Sequence, residues 1–268
     1  MADIPGLSGV SADALRQFLS ELCDASEQIA MRYFRTPIPV EHKEDTSPVT
    51  QADREVEQCL RGLIASRFPD HGILGEEFGG PIDHSPSAPL WVLDPIDGTK
   101  NFVSGKPLFG TLIGLCLNAK PVAGVINMPA LKERWIAPAD GKTYGLSGPA
   151  HARDREALAD ASLHATSPDM FDDRERRRFD ELSAHVSFRA FGTDCYGYAL
   201  LAEGFVDIVM EASLAVHDFC ALLPVITGAG GVMTDWEGNE LTLNSPGQVL
   251  AAGGPRLHRD TIAAIATS

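Results

Sequence analysis

Leu90-Trp91-Val92-Leu93-Asp94-Pro95-Ile96-Asp97-Gly98-Thr99-Lys100-Asn101-Phe102 is an apolar run that delivers two carboxylates three residues apart into a glycine-containing turn. The run predicts a strand from Leu90 to Leu93, with Asp94 at its end and Asp97 beyond the bend that Pro95 imposes. Two hard oxygen ligands then converge where the backbone N–H groups of Gly98 and Thr99 can face an anion. That combination suits Mg²⁺ and phosphate. Asp-Pro and Asp-Gly are also ordinary turn dipeptides, so the segment alone reads equally well as a strand entering a surface turn.

Outward from this stretch the chain divides into two patterns. Ser11 can cap a helix carrying Leu15, Phe18, Leu19, Leu22, Ile29 and Phe34, ended by Pro37 and Pro39. A second helix opens at Thr50 and runs to about Phe68. Strands are expected over Leu90–Leu93, Thr111–Leu117 and Val122–Asn127. Residues 1–150 therefore read as helices over a largely antiparallel sheet. The Gly-, Pro- and charge-rich segment from Gly141 to Ala161 marks a lobe boundary within a single domain. Residues 151–268 alternate strand and helix, which implies an α/β lobe: strands at 162–166, 188, 206–210, 231–234 and 249–252, and helices near 173–184, 196–203, 218 and from about 256.

Bulk properties narrow the function. The 268 residues carry 44% hydrophobic and 22% charged side chains, ordinary for a soluble globular protein, and a formal charge of −15. So acidic a chain lacks the basic footprint that nucleic acid or an anionic membrane requires. Cys23, Cys59, Cys116, Cys195 and Cys220 form no Cys-x-x-Cys pair, and no His-Glu-x-x-His occurs, so neither a zinc cluster nor a disulfide framework is indicated. No basic-then-apolar leader or membrane-length apolar run is present. A reducing cytoplasmic setting is the expectation.

Lys43-Glu44-Asp45-Thr46-Ser47-Pro48-Val49-Thr50-Gln51-Ala52-Asp53, Gly75-Glu76-Glu77, Asp94-Pro95-Ile96-Asp97-Gly98-Thr99, the interval from Glu211 to Asp218, and Gly228-Ala229-Gly230-Gly231 occur in that order. With this order and spacing the chain resembles the inositol monophosphatase family over nearly its whole length. The stretch from Phe191 to Asp207, Leu222-Leu223-Pro224-Val225-Ile226, Thr234-Asp235-Trp236 and the segment Ala165 to Phe171 look most like its histidinol-phosphatase branch.

The resemblance implies a layered α-β-α-β-α sandwich and a Mg²⁺-dependent phosphomonoesterase holding two or three ions per site. Glu76, Asp94 and the Ile96 carbonyl would hold one ion, and Asp94, Asp97 and Asp218 another, with a third near Glu76. Paired divalent ions lower the pKa of an attacking water and stabilise the leaving oxygen. Thr99 and Asp53 would orient and deprotonate that water, with Glu76 counted among the catalytic groups, while Gly98 and Thr99 N–H groups hold the phosphate. Glu211 and Asp194, with Gly192 and Thr193, would face the organic part of a small phosphate ester. Lys43 matches a lysine near the metal site. Li⁺ sensitivity and a homodimer are implied too.

Each assignment has a plainer rival. Thr50-Gln51-Ala52-Asp53 approximates a capping box, Asp218 and Asp194 can each cap a following helix, and a lone lysine such as Lys43 is commonly just solvated. His217 stands where the family usually has an aromatic residue, and packing or hydrogen bonding explains it more simply than metal ligation. Two acids facing the leaving group favour a cationic alcohol, hence L-histidinol phosphate. The alternatives are inositol 1-phosphate or a broad range of sugar or nucleotide phosphates, and a non-catalytic metal-binding regulator.

Overall fold

Helices α1 (Ala12–Tyr33) and α2 (Gln51–Arg67) form where the sequence supplies both a cap and an apolar stripe. The Ser11 Oγ accepts from the Ala14 N–H at 3.2 Å. Thr50 Oγ1 accepts from Ala52 N–H while Asp53 reaches back to Thr50 N–H, a reciprocal capping box. These contacts come from a computed structural model that describes residues 4–7, 9–37, 39–42, 48–80 and 88–266.

Strands β1 (Val40–His42) and β2 (Pro48–Thr50) make an antiparallel pair that leads into α2. A seven-stranded sheet follows in chain order: β3 (Gly72–Gly75), β4 (Leu90–Asp97), β5 (Gly110–Leu117), β6 (Lys120–Met128), β7 (Glu133–Ala137), β8 (Tyr144–Gly145) and β9 (Gly148–Pro149). Helix α3 (Thr99–Val103) lies between β4 and β5. The sheet is antiparallel throughout except for the parallel pair β3–β4.

The second sheet has the order β11-β10-β12-β14-β13, built from β10 (Ser162–Ala165), β11 (Phe188–Phe191), β12 (Ile208–Glu211), β13 (Val232–Thr234) and β14 (Val249–Ala252). Its helices are α4 (Asp173–Ser183), α5 (Cys195–Ala202), α6 (Val216–Phe219), α7 (Leu222–Gly228) and α8 (Pro255–Ile265). Three buried clusters separate five layers. Leu15, Leu19, Leu60 and Ile64 of α1 and α2 pack on Trp91, Leu93, Ile113 and Val125. The opposite face, with Val92, Leu112 and Ile126, meets α5 and α7 and the inner face of the second sheet. Phe179 and Leu182 of α4 and Leu257 and Ile265 of α8 cover the outer face of that sheet. The result is the α-β-α-β-α sandwich.

One close approach positions the site. Gly114 of β5 and Gly124 of β6 lie opposite each other in register. A Cβ on Gly124 would stand 2.1 Å from the Ala221 carbonyl oxygen, and one on Gly114 3.1 Å from Ala221 N. The paired glycines thus leave a notch that seats the Cys220-Ala221 backbone between α6 and α7. This is the reason for glycine here: the partner is main chain, which cannot rotate away. Gly124→Ala is expected to cost about 1–3 kcal/mol in urea denaturation of the metal-free protein. By contrast Gly62→Ala, on α2 with open space around its Cβ, should stabilise by about 0.5–1 kcal/mol.

Candidate active site

Strand β4 does not stop at Leu93; it continues to Asp97 through a bulge. Asp94 pairs with Leu112 and Asp97 with Gly110, so three steps along β4 match two along β5. Side chains three apart on a regular strand point to opposite faces. One extra residue cancels that inversion and turns both carboxylates to the same side. Pro95 has no N–H to lose from the ladder, and its carbonyl accepts the Thr111 hydroxyl at 2.9 Å.

Asp218 joins them from across the sandwich. It sits at the third position of α6, not at the cap, and its Oδ2 accepts the Ala215 N–H at 2.7 Å. Ligand oxygens of Asp94, Asp97 and Asp218 all lie within 4.8 Å of one another. Glu76 enters just after β3, its N–H bonded to Leu93 O at 3.1 Å. Its carboxyl lies close enough to Asp94 to raise that group's pKa. His217 Nε2 lies 3.5 Å from Asp218 Oδ1, so the histidine contacts the cluster through Asp218.

Crowding is visible in the electrostatics. Burial, followed by the charges of Glu76, Asp97 and Asp218, pushes the Asp94 carboxyl far above the usual carboxylate range. Burial raises Asp97 too, against the lowering effect of the Cys195 N–H, which donates to Asp97 Oδ2 at 2.7 Å. Asp94 Oδ1 is buried without a hydrogen-bond partner. An orphaned carboxylate oxygen among repelling, all-oxygen neighbours fits a hard divalent cation.

Asp53 is buried, held by the Thr50 hydroxyl at 2.6 Å, and raised by burial to about 6. The Thr99 hydroxyl donates to the Ile96 carbonyl at 3.0 Å, so Asp53 and Thr99 are each engaged with other partners. Gly98 adopts a left-handed φ of 78° as it leads into α3, where Thr99 is the first helical residue. Lys43 lies outside the described residues.

Beside the carboxylates opens a cleft of about 120 Å³ whose lining includes Thr166, Met170, Asp194, Tyr198, Glu211 and Leu214. Glu211 accepts the Thr166 N–H at 2.6 Å and the Tyr198 hydroxyl at 2.9 Å, and burial raises it to about 7. Asp194 occupies the cap position of α5 without making a cap bond, at an unusual φ of 45°. Its carboxyl instead takes the Asn101 amide. Burial and the charges of Asp97 and Glu211 lift it to about 8. Gly192 and Thr193 lead into α5 but are not among the cleft's lining residues.

Asn101, Thr166 and Tyr198 join the site through their bonds to Asp194 and Glu211, which the sequence does not announce. Asn101 follows the motif directly, and its polarity on a short helix was the available signal. Tyr198 sits in an apolar helical stretch and Thr166 contributes its backbone, so neither carried one.

The family model described as the inositol monophosphatase family matches residues 11–268. The chain belongs to that family. Its members are Mg²⁺-dependent phosphatases, and this chain is a family phosphatase. It is 40% identical to the chloroplastic bifunctional phosphatase IMPL2 of Arabidopsis thaliana, over 96% of this chain and 76% of that one. A histidinol-phosphatase of Chlorobaculum parvum is 32% identical, covering 93% and 95%. The structure of an inositol monophosphatase from Zymomonas mobilis superposes with a TM-score of 0.86 at 38% identity, covering 96% and 99%. Among the described residues, no helix is long and apolar enough to cross a membrane.

Two outcomes follow for the metal-free protein. Asp53, Glu211 and Asp194 rise to about 6, 7 and 8, so the folded state binds these protons more tightly than the unfolded chain does. Their stabilising contribution is full below the unfolded value of about 4 and is lost as pH climbs through the folded values. Thermal melts in chelator should show Tm falling by ~5 °C or more from pH 5 to pH 8.5, with Mg²⁺ restoring it at the upper end. Asp94→Asn should raise Tm in chelator at pH 8 by relieving repulsion, while kcat drops by about 10³-fold or more.

Proposed function

We propose that this phosphatase hydrolyses L-histidinol phosphate, releasing L-histidinol and inorganic phosphate. The observation that carries the reading is the pair of acids, half-buried Asp194 and buried Glu211, that line the cleft beside the Asp94, Asp97 and Asp218 cluster. An ester seated with its phosphate against that cluster would turn its organic end toward these two carboxyls. Histidinol brings an ammonium and an imidazole to that end, whereas inositol brings neutral hydroxyls. Each charge-assisted hydrogen bond contributes about 1.5–3 kcal/mol. The histidinol-phosphatase relative supports the same choice.

Asp94, Asp97, Asp218, Glu76 and the Ile96 carbonyl would hold the cations. When bound, Mg²⁺ supplies neutralisation of phosphate charge and a water acidic enough to ionise near neutral pH. Gly98 and Thr99 would orient the phosphate through backbone N–H groups at the start of α3. Asp53, ionised above about 6, would accept the proton from the attacking water. The Thr99 hydroxyl, leaving its bond to Ile96 O, would relay it. No phosphoenzyme is required. Inositol 1-phosphate is the second reading, favoured by the likeness to the Zymomonas mobilis protein. The proposal extends to a cytoplasmic homodimer inhibited by Li⁺.

Steady-state kinetics on L-histidinol phosphate and inositol 1-phosphate, run side by side, decide between the two. A kcat/KM at least tenfold higher on histidinol phosphate is expected, and a preference for the inositol ester would overturn the assignment. Asp194→Asn should lower kcat/KM for histidinol phosphate by about tenfold or more and leave a small uncharged ester such as phenyl phosphate within about twofold.

A further inference from the structure

Outside the carboxylate cluster, an ion pair between a buried glutamate and a half-buried arginine reaches toward it. Asp53, Glu57 and Arg61 recur every fourth residue on α2 and therefore stack along a single face of the helix. Asp53 belongs to the site already described, whereas Glu57 and Arg61 face the turn that carries Glu76. Glu57 is fully buried, with 0% exposure. Its Oε2 accepts the Glu77 N–H at 2.7 Å, and its Oε1 accepts the Phe78 N–H at 3.2 Å and Arg61 Nε at 2.8 Å.

Arg61 closes the other side. Its Nη2 donates to Gly79 O and its Nη1 to Ile73 O, so one guanidinium holds Glu57 and both flanks of the turn together. The turn also closes on itself through Gly75 N–H to Gly79 O at 3.0 Å. A Cβ on Gly75 would stand 2.0 Å from Glu57 Oε1, so the backbone approaches the carboxylate as closely as only glycine permits. By contrast, the main-chain tie of Glu76 to the sheet is its N–H to Leu93 O.

We propose that Glu57 and Arg61 are positioning residues for the metal site: they hold the Gly75–Gly79 turn in the arrangement that presents Glu76 to Asp94. This deepens the functional reading above and rests on Glu76 being a ligand. A fully buried carboxylate needs donors, and two of those that serve Glu57 are the successive amides just beyond Glu76. Those amides are where its acceptor oxygens are directed. Planarity matters as well, since one fork spans Glu57, Gly79 O and Ile73 O, which an ammonium cannot do at once.

The test compares full-length wild type, Glu57→Gln, Arg61→Met, Arg61→Lys and Glu76→Gln by site-resolved amide hydrogen exchange in chelator and by calorimetric titration with Mg²⁺. Exchange at the Glu77 and Phe78 amides should speed up at least tenfold in Glu57→Gln and Arg61→Met. Amides of the central strand β5 should keep wild-type protection, which shows that the fold is intact. Mg²⁺ affinity should weaken about tenfold in the same two variants, with Arg61→Lys recovering part of both effects.

Unchanged Mg²⁺ affinity in Glu57→Gln and Arg61→Met, set against a weakened Glu76→Gln, would overturn the positioning role alone. Unchanged affinity in Glu76→Gln would remove that residue from the metal set and the proposal with it. Loss of β5 protection in both single variants, with the double Glu57→Gln/Arg61→Met variant regaining the fold and full Mg²⁺ affinity, would show the pair to be structural only.

Discussion

A single inserted residue in β4 is what the site depends on. Without the bulge between Asp94 and Asp97, the two carboxylates would face opposite layers of the sandwich, one toward α1 and α2 and the other toward α6. With it, both meet Asp218, and Asp97 also reaches across to the first N–H of α5. The same carboxylate therefore ties β4 to the helix layer between the sheets and completes the cluster of acids. That double duty explains why burial has not driven these acids out of the interior: each has a partner across the layer boundary or a charge to receive.

Burial and mutual repulsion make the carboxylates poor company for one another in the absence of cations. The cost is carried by the apolar layers around them, where Trp91, Phe102, Phe109 and Trp135 are almost completely enclosed. The adjoining cleft repeats the arrangement at lower intensity, with Glu211 restrained by Tyr198 and Thr166 and Asp194 by Asn101. Acids fixed by neutral donors keep the capacity to meet a positive ligand: among the described residues the cleft lining includes no arginine or lysine, and Lys100 and Lys106 act on Asp194 only as outlying charges.

Much of this was legible in the chain because it is written locally. The Thr50 cap, the apolar alternation of β5 and β6, and the Asp-Pro-Ile-Asp-Gly-Thr spacing are all determined within a few residues. What was not legible depends on partners far away in sequence. Strand β4 read as ending at Leu93, because a proline and two acids look like a turn until β5 is seen pairing with them through Asp97. Asp218 reads as a metal ligand with a helix cap as its plainer rival, and the rival stays open in the sequence because helix onset is ambiguous by two residues where Ala215, a poor capping residue, precedes it. Tyr198 and Glu57 carried no local mark at all. One looks like an ordinary core aromatic, the other like a helix-surface acid, and only the bonds to Glu211 and to the Glu77 and Phe78 amides distinguish them.

The notch made by Gly114 and Gly124 has a mechanical consequence. Main chain is wedged against main chain there, so the wall bearing Asp218 behaves as a stiff abutment to the wall bearing Asp94 and Asp97. Glu76 hangs instead from a short turn clasped by side chains. The placement of Asp94, Asp97 and Asp218 thus rests on main chain packed against main chain, whereas that of Glu76 rests on two side chains of α2 and is the part of the cage that a side-chain substitution can reset.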